Sequence, residues 1–311
     1  MMTELPVDQV RTLLAVVDEG TFDAAARVLH VTPSAVSQRV KALEQRTGRV
    51  LLTRTKPVRP TESGEVVVRF ARQLAQLEGD ARTALGMTGA GETTRLPIAV
   101  NADSLATWFL PALTRVAEEL DIGFELRRED EARTAALLRE GRVMAAVTSS
   151  PDPVAGCGVR SLGRMRYTAM ASPGFVRRWL AGWPEVPLRE VLGGAPVVAF
   201  DRYDDFQDRF LRELGPSSGV RGRRHLVPTP EGFVDAVAAG MGWGMVPVQQ
   251  AGPLLRAGRL VHLAEDRPAD APLYWQQWKL DSPALAAVAA AVAAAAEEAL
   301  DQGPPVGSGR P

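Results

Sequence analysis

Apolar residues recur at helical spacing through the first part of the chain. Val10, Leu13, Leu14 and Val17 trace the i, i+3, i+4, i+7 stripe of an amphipathic helix over 7–18, which Gly20 ends. Thr21 is placed to cap a second, alanine-rich helix over 22–29. After a short turn at His30 and Val31, Thr32 and Pro33 read as an N-cap followed by proline at the first helical position. The helix they open runs to about residue 46, with Ala35, Val36, Val40 and Leu43 inward, and Gly48 closes it. Residues 50–52 and the Pro-flanked basic turn 56–60 predict a small β-wing. Over 62–85 a longer helix carries Val67, Phe70, Leu74, Leu77, Ala81 and Ala84, spaced alternately by three and four. That is a coiled-coil seam, and a lone helix would leave it in water, so a partner helix is expected. A Gly/Thr-rich linker follows at 86–94.

From residue 96 the pattern changes to short apolar runs alternating with amphipathic stretches. Strands are expected at 96–100, 123–127, 145–148, 167–171, 197–200, 244–246 and 274–278. Helices are expected at 105–119, 131–140, 206–214, 230–239 and 283–300. The alternation argues for open α/β sheets, and some 200 residues suit two small lobes better than one sheet. The expected units are 1–61, a helical linker at 62–94, an α/β part at 95–301, and a Gly/Pro/Ser-rich disordered tail at 302–311. Within the α/β part the lobes are expected at about 95–165 with 273–301, and at about 166–272.

Composition narrows the function. Apolar residues make up 46% and charged residues 23%, enough for a full-sized core. One cysteine, Cys157, excludes an intramolecular disulfide and a cysteine-rich zinc site. His30, His225 and His262 lie far apart, so no metal is expected. No apolar run reaches the ~18 residues of a membrane-spanning helix; residues 284–296 are too few and mostly alanine. The N-terminus lacks the basic start and apolar run of a signal peptide, so a cytoplasmic protein is expected. The charge is unevenly distributed. Residues 27–59 hold eight basic residues against Glu44 alone, a balance of +7 in a chain of net −1, so the remainder carries −8. A basic island on an acidic body fits a protein that grips a polyanion at one end.

The island coincides with the segment Thr21-Phe22-Asp23-Ala24-Ala25-Ala26, then Val31-Thr32-Pro33-Ser34-Ala35-Val36-Ser37-Gln38-Arg39-Val40-Lys41-Ala42-Leu43-Glu44. Two helices joined by a tight turn, the second opening on small polar residues, suit the DNA major groove. Ser34, Ser37 and Gln38 are candidates for base edges, with Thr32 and Pro33 at the helix entrance. Arg39, Lys41, Arg54, Lys56 and Arg59 are candidates for phosphates. The string resembles the winged helix-turn-helix of the LysR-type transcriptional regulators. Gly48-Arg49-Val50-Leu51-Leu52-Thr53-Arg54 and Pro60-Thr61-Glu62-Ser63-Gly64 match that family's wing and its entry into the linker helix. Pro33 departs from the glutamine that many members carry.

The resemblance extends over nearly the whole chain. Val100-Asn101-Ala102-Asp103-Ser104-Leu105-Ala106-Thr107-Trp108, Glu129-Asp130-Glu131, Pro196-Val197-Val198-Ala199-Phe200-Asp201 and Leu273-Tyr274-Trp275 are similar to the branch that regulates lysine and arginine export. Glu140-Gly141 is followed by Arg142-Val143-Met144, without the acidic residue common elsewhere in the family. The resemblance implies two periplasmic-binding-protein-like lobes with an effector between them and no cofactor. Its implied partners are a double-stranded operator, a second copy of the chain (as a dimer or as paired dimers), and RNA polymerase.

Ligands in open α/β sheets bind beyond strand carboxyl ends, beside helix N-termini. Asn101, Ser104 and Thr148 are so placed in one lobe, and Thr229 in the other. Asp103, Asp130, Asp201 and Glu231 are the acids available to a ligand cation. Each of these acids is equally readable as a cap or a solvated surface group. Lysine or arginine is the expected effector. Two other classes compete. An enzyme on an α/β scaffold would need a nucleophile elbow, a phosphate loop or a dinucleotide fingerprint, and the sequence carries none. A solute-binding component would need neither the basic island nor the helical hairpin. Cys157 between two glycines reads as an inert thiol or a redox sensor, and Trp243, Trp275 and Trp278 as packing.

Overall fold

The computed structural model describes residues 4–87, 95–120, 122–129, 131–215 and 220–303. Residues 88–94 of the linker expected at 86–94, and most of the expected tail, lie outside them.

Three helices, α1 (Val7–Glu19), α2 (Phe22–Val28) and α3 (Pro33–Thr47), pack around Val10, Leu13, Val16, Val36, Val40 and Leu43. The caps follow the sequence. Thr21 Oγ1 accepts from Ala24 N at 3.1 Å and Thr32 Oγ1 from Ala35 N at 3.2 Å, while Gly20 and Gly48 take left-handed φ of 71° and 65°. A two-stranded wing pairs β1 (Leu52–Thr53) with β2 (Arg59–Pro60). Glu44, the one acid of the basic island, accepts from Leu51 N at 2.8 Å and so ties the wing to α3. The long helix α4 (Glu62–Ala84) enters directly behind. Thr61 caps it at Gly64 N, and a Cβ on Gly64 would stand 1.9 Å from Leu51 O, so only glycine fits that crossing. The α4 seam divides. Val67, with Val68 and Ala71, is buried in the N-terminal core, whereas Phe70 and Leu77 are each 40% exposed.

The rest of the described chain forms one curled six-stranded sheet and a two-stranded one, with helices around them. Strands β3 (Arg95–Val100), β4 (Gly123–Arg128) and β5 (Ala145–Thr148) run parallel in the order β4-β3-β5. Between them come α5 (Ala102–Ser104), a π-helical turn (Leu105–Phe109), α6 (Leu110–Leu120) and α7 (Glu131–Arg139). The sheet continues through two long antiparallel strands, β6 (Cys157–Ala171) and β10 (Val261–Trp278). They serve both halves: β10 pairs β5 at 274–277, and β6 pairs β9 (Gly244–Pro247) at 167–170. Their register shifts near 264–269 and 273–274, where the pair passes from one half to the other. The second half adds α8 (Pro173–Trp179), α9 (Leu188–Val191), β7 (Val197–Ala199) and α10 (Phe206–Leu214). It is completed by β8 (Arg224–Leu226), α11 (Pro230–Ala238) and α12 (Val248–Arg256); α13 (Pro283–Ala299) returns to pack on α6.

Sequence pattern found the C-terminal ends of β6 and β10, at 167–171 and 274–278, but not their length. Residues 157–166 and 261–273 carry polar positions such as Arg160, Arg164, Glu265 and Asp270, because the pair faces solvent where it crosses between halves. The helices α8, α9 and α12 and the short strand β8 were also not expected; α12 begins directly on β9 and contains Pro253.

Candidate functional site

Two regions gather the predicted residues. On the N-terminal unit, Ser34, Ser37, Gln38 and Lys41 fall at i, i+3, i+4 and i+7 of α3 and are all exposed, opposite the buried Val36, Val40 and Leu43. Pro33 is exposed at the helix start, and Thr32 is exposed while serving as its cap. Arg54, Lys56 and Arg59 are exposed on the wing beside it. Arg39 departs from this face. It turns toward α1, its guanidinium 3.5 Å from Thr12 Oγ1 and 3.9 Å from the Asp8 carboxylate.

The second region is a cleft of about 740 Å³ between the two halves of the α/β part. Asn101, Asp103, Thr148 and Asp201 line it, as sequence reasoning placed them. Ser104 is fully buried behind it with no hydrogen-bond partner for Oγ among the described residues. Thr148 Oγ1 accepts from Ser150 N at 3.2 Å. Asp130 lies outside the described residues. Two predicted residues do not line it: Thr229 caps α11, accepting from Gly232 N at 3.3 Å, and Glu231 lines a second crevice. A helix start exposes its first turn on more than one side, and spacing alone does not say which side meets the cleft.

The cleft also collects residues that sequence reasoning missed. Glu129, Asp204, Asp205 and Asp270 join Asp103 and Asp201, against the cations Arg128 and Arg209. Most of these acids are already committed. Asp201 accepts from Tyr203 N at 2.7 Å, Asp204 from Phe200 N at 2.7 Å, and Glu129, Asp205 and Asp270 pair with Arg133, Arg209 and Arg166 at 3.2, 3.1 and 3.0 Å. Asp103 differs. Its side-chain partner is a neutral hydroxyl, Tyr167 Oη, which donates at 2.6 Å. Burial pushes the Asp103 carboxyl above its usual range, the Tyr167 bond opposes that, and the nearby charges of Asp204 and Glu231 reinforce it. Tyr167 is itself raised well above its ordinary value, first by burial and then by Asp103. Its ring lies 4.7 Å from that of Phe206, over which the Arg209 guanidinium sits at 4.5 Å. A partly desolvated carboxylate beside two aromatic faces can receive a ligand cation. The signal for Tyr167 was weak in the sequence, since nothing in a buried strand marks one residue as facing a cleft.

Cys157 is buried, and its thiol is pushed up to about 11, chiefly by burial, so it is a protonated, inert group at neutral pH. Trp243 and Trp278 are core side chains. Among the described residues no group of His, Cys, Asp and Glu could hold a metal ion, and no helix is long and apolar enough to cross a membrane.

A winged helical hairpin joined by a long helix to a two-halved α/β unit with a cleft defines a class of ligand-responsive DNA-binding proteins. The chain belongs to the LysR family of bacterial transcriptional regulators: residues 7–65 match its regulatory helix-turn-helix protein family and residues 89–297 the LysR substrate binding domain. It is 44% identical over 296 residues to the lysine export transcriptional regulatory protein LysG of Corynebacterium glutamicum, covering 94% of this chain and 98% of that one. Among solved structures it is similar to ArgP from Mycobacterium tuberculosis, with 44% identity, a TM-score of 0.85, and coverage of 96% and 99%. It is also similar to full-length LysG from Corynebacterium glutamicum with bound effector Arg, with 42% identity, a TM-score of 0.81, and coverage of 96% and 100%.

Proposed function

We propose that this regulator senses a basic amino acid, lysine or arginine, in the cleft and controls a gene for its export or metabolism. The observation that carries the reading is the charge of the cleft: six carboxylates face two guanidiniums, and the side-chain partner of the partly desolvated Asp103 is a neutral hydroxyl rather than a cation. Support comes from the relatives, one named for lysine export and one solved with arginine as effector. The ligand's cationic end pairs with Asp103 beside Tyr167 and Phe206, and its carboxylate lies toward Asn101, Ser104 and Thr148. A ligand that touches both halves favours one arrangement of them only through its differential affinity for the two.

The units are taken as 1–61 for DNA binding, 62–94 as linker and 95–301 for the effector, in a cytoplasmic protein. Ser34, Ser37 and Gln38 read base edges, while Lys41, Arg54, Lys56 and Arg59 hold phosphates. A second copy pairs through the exposed face of α4. Pairing of two such dimers and contact with RNA polymerase extend the same reading, and sedimentation and transcription in vitro test them. The test of the effector is calorimetry with lysine, arginine and norleucine. Lysine and arginine should bind, and norleucine far more weakly, because it leaves the partly desolvated Asp103 charge without a counter-ion. Equal binding of norleucine and lysine would sink the basic-effector reading.

A further inference from the structure

A second cavity, of about 640 Å³, lies between α6 and α13 on one side and α11 and α12 on the other. Gln250 is the one residue that lines both this crevice and the effector cleft. Its charged members are Arg115 on α6, Glu231 and Asp235 on α11, and Glu298 on α13. None of the four side chains makes an ion pair or hydrogen bond among the described residues, in contrast to the cleft, where nearly every acid is committed. The walls are apolar at Ala106 and Val234. Trp108, only 4% exposed, also lines the crevice, and its indole N–H has no acceptor among the described residues. Four unpaired charges around one concavity of this size are arranged for something other than each other.

We infer that this crevice is a second small-molecule site, for an amino acid that carries an extra cationic group. Arg115 suits the carboxylate, since a guanidinium grips it in a fork. Glu231, Asp235 and Glu298 suit the two ammonium groups, and Trp108 and Val234 the hydrocarbon between them. The local balance of three acids to one arginine is −2. A neutral amino acid leaves acids unpaired, and a polyamine without a carboxylate sets a cation against Arg115. The same ligand class is proposed for the cleft, from different residues. A ligand here spans α6 and α13 of one half and α11 and α12 of the other. It therefore acts on the same relative arrangement of halves as the cleft does, and the two occupancies are coupled.

Equilibrium dialysis of the full-length protein with labelled lysine, and separately with arginine, counts the sites. Wild type should hold two molecules per chain, and Arg115→Gln and Glu298→Gln should each lower this to one at the same free concentration. Both side chains are exposed, and a thermal melt checks that the fold is kept. Asp103→Asn should remove the other molecule. One molecule per chain that survives Arg115→Gln but not Asp103→Asn overturns the crevice and leaves the cleft reading in place. One molecule lost in Arg115→Gln and kept in Asp103→Asn supports the crevice and overturns the cleft. Spermidine displacing the crevice molecule as well as lysine does overturns the ligand class. A change in sedimentation on Arg115→Gln without any change in bound lysine makes the crevice a protein contact instead.

Discussion

Asp103 carries opposing demands from stability and binding. Burial raises its carboxyl, so above that raised value the folded state holds a charge its surroundings disfavour. Asp103→Asn should therefore raise the melting temperature at pH 7. The gain should shrink as pH falls through the raised value, where the wild-type carboxyl takes up its own proton. The same change should weaken lysine binding by ~10–100-fold, the loss of a charged hydrogen bond. Melting curves at several pH values, with calorimetry, check both; a variant that binds lysine as wild type does removes Asp103 from the site. At the other end of the molecule, Gln38 and Arg54 differ in kind. Gln38→Ala should relax base preference at one operator position by ~1–3 kcal/mol, and Arg54→Ala should weaken all duplexes and flatten the salt slope by about one unit. Equal losses on specific and random duplexes for Gln38→Ala would rule out base reading.

The helix α4 shows how one element divides its surface. Its N-terminal turns are fixed by the winged domain through Val67, Val68 and Ala71, and by the close crossing at Gly64. Beyond them Phe70 and Leu77 stay exposed, Leu74 is half-buried, and Ala81 and Ala84 are open. Water around that stripe opposes a free chain, and the proposed second copy would cover it with like residues. Replacing Leu74 and Leu77 together with Glu should abolish the dimer and, with it, high-affinity operator binding. Sedimentation and gel shifts read the two effects. A doubly substituted chain that remains dimeric places the main contact elsewhere.

On the scale of the whole molecule, α4 touches both ends. Arg72, with a side chain 15% exposed, pairs with Asp18 of α1 and donates to Glu140 O at 2.8 Å. Glu140 directly follows α7, and Thr134 of the same helix lines the effector cleft. Nearby, Gly141 at φ 70° brings its backbone against Arg69 Cα and the Trp278 ring, where a Cβ would stand 3.3 and 2.7 Å away. A shift of α7 on ligand binding would reach Arg72 through its bond to Glu140 O, and Arg72 touches the DNA-binding unit at Asp18. Arg72→Ala should leave lysine affinity nearly unchanged while cutting the effector-dependent change in operator affinity by ~5-fold or more. Gel shifts with and without lysine measure it. An intact response in Arg72→Ala assigns the coupling to another path.

The sequence by itself determined the DNA-binding unit almost completely. Its helices are set by local rules, in which Thr21 and Thr32 cap, Gly20 and Gly48 terminate, and a 3.6-residue period decides which face is buried. The outer face of α3 then follows as the remainder. It also determined the alternation of strands and helices, and the strand-end position of Asn101, Asp103 and Thr148. The tertiary structure alone decided which acids the cleft retains. Asp201 was legible as a strand-end acid, but its commitment to the backbone N–H groups of Tyr203 and Asp204 was not. Glu231 was legible as a first-turn acid, but which side of α11 meets the cleft depends on how α11 packs. Tyr167 could be placed only once β6 was seen to pass between the halves. Caps and periodicity act over a few residues and leave a mark in the order of the chain. A cleft joins residues more than a hundred positions apart, and that proximity is a product of packing.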